Sequence, residues 1–368
     1  MIKYLGSKRR IAPALGVMAK SLAATTALDL FAGTTRVAQA FKHGGAFVTA
    51  CDLARYSEVF AQCYIAADAS SIDSADLATA VADLQCHADD HPVDGYVTET
   101  FCRRARFFQP HNGRRIDAAR AYIAERWTAH PYEPILLTSL IEAADRVDST
   151  VGVQMAYLKE WSRRSFNSLD LRVPELLDGP GRAERGDSVA LVDGLGSFDL
   201  AYFDPPYNQH RYFTNYHIWE TLVADDEPEY YGVACKRLDA RDAATASIFN
   251  RKRAFMSALT HVMERVDADV VILSYNDESW VSLEQLTALG AERGTVAVLG
   301  FDAPRYVGAR IGIHNPQGER VGTPGRLRNL ELLVICGPSE AVGRLVDVGM
   351  AHSAELVVRP QRGVCADR

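Results

Sequence analysis

Short apolar runs, each closed by an acid or a small-residue turn, alternate along this chain with stretches of helical spacing. The runs predict strands at Ala27–Phe31, Phe47–Asp52, Asp199–Asp204, Asp269–Tyr275, Gly294–Phe301 and Leu330–Cys336, with a weak one around Ala183–Asp187. Helices are expected at Val37–Lys42, Arg55–Ile65, Thr245–Val266 and Leu283–Leu289. Strands alternating with helices predict an α/β fold with a doubly wound sheet, which binds ligands at the carboxyl ends of its strands. The last two strands are joined by a Gly/Pro/Arg-rich loop without a helix, so they are expected to pair antiparallel at one edge. Tyr64 to Ala183 is far longer than a βα connection, and its spacing is mostly helical. The expected organisation is therefore a first part over 1–63, an inserted helical domain over 64–183, a second part over 184–358 and a tail over 359–368.

The chemistry begins where one strand ends. Asp204-Pro205-Pro206-Tyr207 follows the apolar run Leu200-Ala201-Tyr202-Phe203. An exocyclic amine on a nucleobase is a poor nucleophile, because its lone pair is delocalised into the ring. A carboxylate and a backbone carbonyl that accept from its two N–H groups turn the nitrogen tetrahedral. The carboxylate also offsets the positive charge that develops during transfer. Two prolines fix φ and hold that carbonyl in place, and Tyr207 offers a ring on which an extruded base can stack. The bland alternative is a proline-stiffened turn at a strand end.

A second unit is Asp29-Leu30-Phe31-Ala32-Gly33-Thr34-Thr35, leading into a helix and then into a strand that ends at Asp52, 19 positions after Gly33. Strand, glycine turn, helix, strand and acid build a nucleoside site in which the acid accepts from ribose hydroxyls. Gly33 permits close backbone approach. Thr35 stands where a second glycine would admit a pyrophosphate, which disfavours a nicotinamide dinucleotide.

The net charge is −7 and the pI about 5.8, so any polyanion must meet a local basic face. Such a face is offered by the insertion, where Arg103, Arg104, Arg114, Arg115, Arg163 and Arg164 are interleaved with Phe101, Phe107, Phe108, Trp161 and Phe166. Arginines among aromatics suit phosphate contact and stacking; Phe107 and Phe108 themselves are expected in the core. The loop from Pro304 to Arg328, with Arg305, Arg310, His314, Asn315, Arg320 and Arg326, is a second candidate for DNA-backbone contact. The scattered cysteines form no metal or disulfide pattern and suit a reducing cytosol. No run approaches membrane-spanning length. No metal, no membrane and a cytoplasmic, nucleoid-associated location are expected.

Three motifs in order, Lys3-Tyr4-Leu5-Gly6-Ser7-Lys8, Asp29-Leu30-Phe31-Ala32-Gly33 and Asp204-Pro205-Pro206-Tyr207, resemble the Dam-like (class alpha) DNA adenine-N6 methyltransferases. Asn208 to Tyr212 with Asn215 to His217 and Glu220-Thr221, Ser139 to Asp145 running on to Ala156 to Lys159, Ser274 to Glu278 and Asn329 to Leu333 are similar to the branch that accompanies restriction endonucleases. The resemblance implies a Rossmann-like methyltransferase sheet with an antiparallel last strand, S-adenosylmethionine as methyl donor, and double-stranded DNA as substrate. It also implies a separate restriction endonuclease as partner. It assigns Tyr4 and Lys8 to the aminoacyl end of the donor, and Phe31 and Gly33 to its methionine–ribose stretch. Asp52 would take the ribose hydroxyls and Asp187 the adenine amine, though Asp187 lies in what could equally be an ordinary turn. Arg211, Tyr212 and Asn215 would lie over the extruded base or reach its orphaned partner, the alternative being a stiff aromatic cluster packed on the sheet. Competing readings are a cytosine-N4 enzyme with the same chemistry, a nicotinamide-dependent dehydrogenase and a catalytically silent DNA-binding subunit.

Overall fold

The structure, a computed structural model, describes residues 2–207, 211–276, 280–304, 313–314, 320–322 and 328–361. Its centre is an eight-stranded sheet. In chain order the strands are β1 (Thr26–Asp29), β2 (Phe47–Asp52), β3 (Gly181–Arg185), β4 (Ser197–Phe203), β5 (Asp267–Asn276), β6 (Thr295–Pro304), β7 (Arg328–Gly337) and β8 (Glu355–Gln361). Across the sheet they run β8-β6-β7-β5-β4-β1-β2-β3. The five from β3 to β5 are parallel. β7 lies antiparallel between β5 and β6, and β8 runs antiparallel to β6 at the edge.

The expected antiparallel pair is present, but it is not the margin of the sheet: β8 covers it. The tail expected after Val358 is shorter too, since β8 continues through Gln361. β8 escaped the sequence reading because an edge strand with one exposed face carries a weak apolar signal.

Alternation along β4 divides the interior. Leu200 and Tyr202 face one apolar cluster, whereas Ala201 and Phe203 face the other. The first cluster is packed by α1 (Ala12–Ser21), α2 (Arg36–His43), α3 (Arg55–Ala61) and helices of the long β2–β3 connection, α4 (Ser74–Asp90), α5 (Pro110–Trp127) and α6 (Glu133–Val147). α7 (His217–Ala224) and α10 (Ser339–Ala351) complete it. The second cluster is packed by α8 (Lys252–Arg265) and α9 (Leu283–Ala291). Phe101, Phe107, Phe108, Ile116 and Leu140 share one core with the sheet, so the connection is built onto that face.

Four helices differ from expectation, among them α7, which has no counterpart in the expected elements. α8 starts at Lys252 rather than Thr245, because 3-10 turns occupy Ala243–Thr245 and Ile248–Asn250. α1 and α10 were not read; both carry several alanines and glycines that blur the apolar stripe. In the Pro304–Arg328 loop, Ile313–His314 and Arg320–Gly322 form an antiparallel ribbon, while Arg305, Arg310, Asn315 and Arg326 lie outside the described residues.

Candidate active site

The turn after β1 is organised around Gly33. Its φ is +51°, and a Cβ there would meet the Tyr4 ring at 3.1 Å, so the backbone conformation and the crowding both call for glycine. The Gly33 amide donates to Asp52 Oδ2 at 2.8 Å, and the Ala54 amide donates to Oδ1 at 3.0 Å. Two residues on, Thr35 adopts φ +60°, the left-handed region that a β-branched residue rarely enters. The backbone thus keeps a glycine's shape where the sequence has threonine. Thr35 Oγ1 donates to the Thr34 carbonyl at 2.7 Å and accepts from Gln39 at 2.8 Å, which helps hold it there.

Asp29, at the end of β1, is buried and accepts from the Ala38 amide through Oδ2 at 3.1 Å. Among the described residues its Oδ1 has no hydrogen-bond partner. Burial, with the Asp204 charge nearby, pushes its pKa up to about 8.

The second half of the site hangs from β4. Phe203 pairs with Leu273 of β5, and Asp204 is the next residue. Lys8 Nζ lies 3.0 Å from Asp204 Oδ1 and donates to Glu331 Oε1 at 2.6 Å; Ser274 Oγ donates to that same glutamate oxygen. Burial raises the Asp204 pKa to about 6, with Lys8 pulling it down and Glu331 pushing it up. Tyr207 is half-buried and meets Tyr275 at a ring distance of 5.5 Å. Both halves open into one cavity, lined among others by Tyr4, Gly33, Asp29, Asp52, Asp204 and Pro206.

The remaining expected site residues sort by their partners. Tyr4 stacks on Tyr216 at 4.7 Å and on Tyr212 at 5.4 Å, and its hydroxyl meets that of Tyr56 at 3.4 Å. Phe31 packs edge-on to Phe249 at 5.1 Å and lines the cavity. Asp187 lines it too, and also accepts from the Val189 amide at 2.9 Å as the cap of a short helical turn. Tyr212 lines the cavity, Arg211 donates to the Ala240 carbonyl at 2.9 Å, and Asn215 is buried.

In the long β2–β3 connection, Arg103 pairs with Asp94 at 2.7 Å and Glu99 at 3.0 Å, Arg114 with Asp94 at 2.6 Å, and Arg115 with Asp89 at 2.9 Å. Arg104 lies over the Tyr230 ring. Arg164 is tied to the Asp148 carboxylate and to the Asp148 and Thr150 carbonyls, whereas its neighbour Arg163 is exposed. His217 is fully buried against the Gln154 carbonyl, and burial pushes its pKa down to about 3. It is neutral at pH 7 and away from the cavity.

Sequence reasoning gave no role to Glu331 or to Tyr56, whose hydroxyl meets that of Tyr4. A signal for Glu331 was present: it is the lone acid in the apolar run Leu330-Glu331-Leu332-Leu333.

A nucleoside-shaped turn facing an Asp-Pro-Pro-Tyr loop across one cavity is the layout of an amino-methyltransferase. The chain belongs to the D12 class N6 adenine-specific DNA methyltransferases, whose family model matches residues 4–289. It is 30% identical over 305 residues to the modification methylase StsI of Streptococcus sanguinis, covering 78% of this chain and 45% of that protein. It is 28% identical over 320 residues to the type II methyltransferase M.NlaIII of Neisseria lactamica, covering 83% of this chain and 92% of that protein. The modification methylase LlaI of Lactococcus lactis subsp. lactis is 26% identical over 322 residues, of which the chain spans 51%. The chain thus spans about half of two of these relatives and nearly all of the third. No solved structure gives a significant match.

Proposed function

We propose that this chain methylates the N6 amino group of adenine in double-stranded DNA, with S-adenosylmethionine as donor, and that it is the modification partner of a separate restriction endonuclease. The carrying observation is the shared cavity: Gly33, Asp29 and Asp52 on one wall, Asp204 and Pro206 on the other. The fit to the donor rests on two features of the chain. Gly33 leaves a cradle beside Tyr4, and the orphaned Oδ1 of buried Asp29 suits an ammonium group. When bound, S-adenosylmethionine would supply an electrophilic methyl group on a cationic sulfur.

Each protein group then has a stated task. Asp52 would accept from the ribose hydroxyls while it braces the Gly33 amide. Asp187 would face the donor's adenine. A target adenine, unreachable in the stack, would leave the duplex and stand over Tyr207. The Asp204 carboxylate and the Pro205 carbonyl would accept from its amine. Alignment and fixed charge supply the acceleration, with no enzyme nucleophile. The proton released from nitrogen goes to water, since neutral His217 is sealed in the core. The insertion between β2 and β3, with exposed Arg163, would meet the DNA backbone.

Expression in a host lacking DNA methylation, followed by sequencing for modified bases, tests this reading. N6-methyladenine at one recurring sequence is the expected result. N4-methylcytosine would move the target to the other amine, and unmodified DNA from a host making folded, donor-binding protein would overturn the proposal.

A further inference from the structure

Glu331 and Asp204 reach the same place from opposite directions of the chain. β4 is parallel to β5, so its carboxyl end delivers Asp204 to the ligand edge of the sheet. β7 is antiparallel to β5, so its beginning arrives there, with Glu331 paired to Asn276. Along β7, Leu333 and Ile335 face the same cluster as α1; by alternation Glu331 turns toward the segment that carries Lys8.

The result is a largely buried line of three charges, Asp204, Lys8 and Glu331, with Ser274 donating to the far end. Lys8 is 8% exposed and Glu331 12%. A carboxylate at this depth is expensive, and packing alone would be served better by an apolar residue. With Asp204 as its only acid, the Lys8 ammonium could slide to either carboxylate oxygen. Held by Glu331 on the other side, it meets Oδ1. No partner of Asp204 Oδ2 stands among the described residues.

We propose that Glu331 is a positioning residue: it clamps Lys8 against Oδ1 of Asp204, so that Oδ2 stays free to accept from the target amine. The proposal rests on the methyl-transfer reading above and adds a residue to it. Lys8 is thereby assigned to Asp204 rather than to the donor's carboxylate. Among the described residues, the charged and titratable groups facing Asp204 are Lys8 from the amino-terminal segment, Glu331 from β7, Asp29 from β1, Tyr202 from β4, and Tyr207 and Tyr212 from the segment after β4.

The test uses the whole chain with Glu331→Gln and Lys8→Gln. Carbon-13 NMR follows the Asp204 carboxyl through a pH titration, its signal assigned by loss in Asp204→Asn. Single-turnover methyl transfer and binding of S-adenosylmethionine and duplex are measured alongside. Removing the Glu331 charge should move the Asp204 midpoint down, and removing Lys8 should move it up. In Glu331→Gln, transfer should slow by about 10- to 100-fold, with both dissociation constants within about threefold of wild type, as expected when only alignment is lost. If Glu331→Gln does not fold, Ser274→Ala, which unties the glutamate, should give a smaller loss in the same direction.

Unchanged midpoints in both glutamine variants would sink the clamp, whatever the activity. So would a Glu331→Gln enzyme with full single-turnover rate. Opposite midpoint shifts in a protein that methylates no DNA would uphold the clamp and overturn the methyl-transfer reading instead.

Discussion

The Asp52 carboxylate accepts from the Gly33 amide at 2.8 Å, so the acid at the end of β2 and the glycine turn after β1 form one unit. Hydrogen bonds to a charged group contribute about 1.5–3 kcal/mol. Asp52→Ala removes the proposed ribose acceptor and slackens the turn together. S-adenosylmethionine affinity should fall by at least about tenfold by calorimetry, since each 1.4 kcal/mol is a factor of ten. Retention of full affinity would separate Asp52 from the donor.

Asp204→Ala should lower single-turnover methyl transfer by at least about 10²–10³-fold, the usual cost of removing one charge-stabilising contact. Duplex affinity should change little, because the proposed backbone contacts lie elsewhere. Normal turnover in this variant would remove the carboxylate from the chemistry.

Buried Asp29 gives the protein a pH signature. Its pKa in the fold is raised to about 8, against about 3.9 for an unperturbed aspartate. Between those values the folded chain binds more protons than the unfolded chain, so this group's contribution to stability is full below about pH 4 and lost as the pH rises through about 8. Asp29→Asn should therefore melt higher than wild type at pH 8, with the gap closing toward pH 5. Saturating S-adenosylmethionine should reverse the order at pH 8 if its ammonium meets Oδ1. A gap that is flat with pH would argue against this assignment.

Glu220, buried on α7, accepts from the Arg55 and Tyr56 amides at 3.1 and 3.4 Å and so closes the start of α3 from the far side of the insertion. Glu220→Ala should cost about 1–3 kcal/mol in urea unfolding, the penalty for stranding buried donors. A change within error would mean that water replaces the carboxylate.

Neighbouring arginines should part company. Arg163→Ala should weaken duplex binding and reduce the slope of log affinity against log salt by about 1, with no change in melting temperature. Arg164→Ala should lower the melting temperature, because it leaves Asp148 without its guanidinium. Equal thermal effects with an unchanged slope in both would remove this segment from the DNA face.

The strand-borne motifs were legible because each is local: an apolar run, then its acid or glycine. Gly33, Asp52 and Asp204 fall at strand ends where the pattern places them. What the pattern could not show is pairing across long separations. Lys8 meets Glu331 at a distance of 323 positions, and only the insertion of β7 between β5 and β6 brings them together. The arginines show the same limit. Arg103 and Arg164 look alike along the chain, yet the first lies on the surface beside Asp94 and the second is wound into the Asp148 loop. Asp187 lay in what read as either a ligand or a turn residue, and it stands at both places, capping a helical turn while it lines the cavity.

The order of the strands also governs when the protein can become itself. Leu28 of β1 pairs with Thr49 on one side and Ala201 on the other, so a growing polypeptide must hold β1 and β2 unfinished while the whole β2–β3 connection leaves the ribosome. Contacts of such separation form late. Synthesis halted before β4 would release a fragment with one flank of β1 bare, prone to chaperone capture, and two fragments divided within the insertion would have the sheet itself as the means of finding each other.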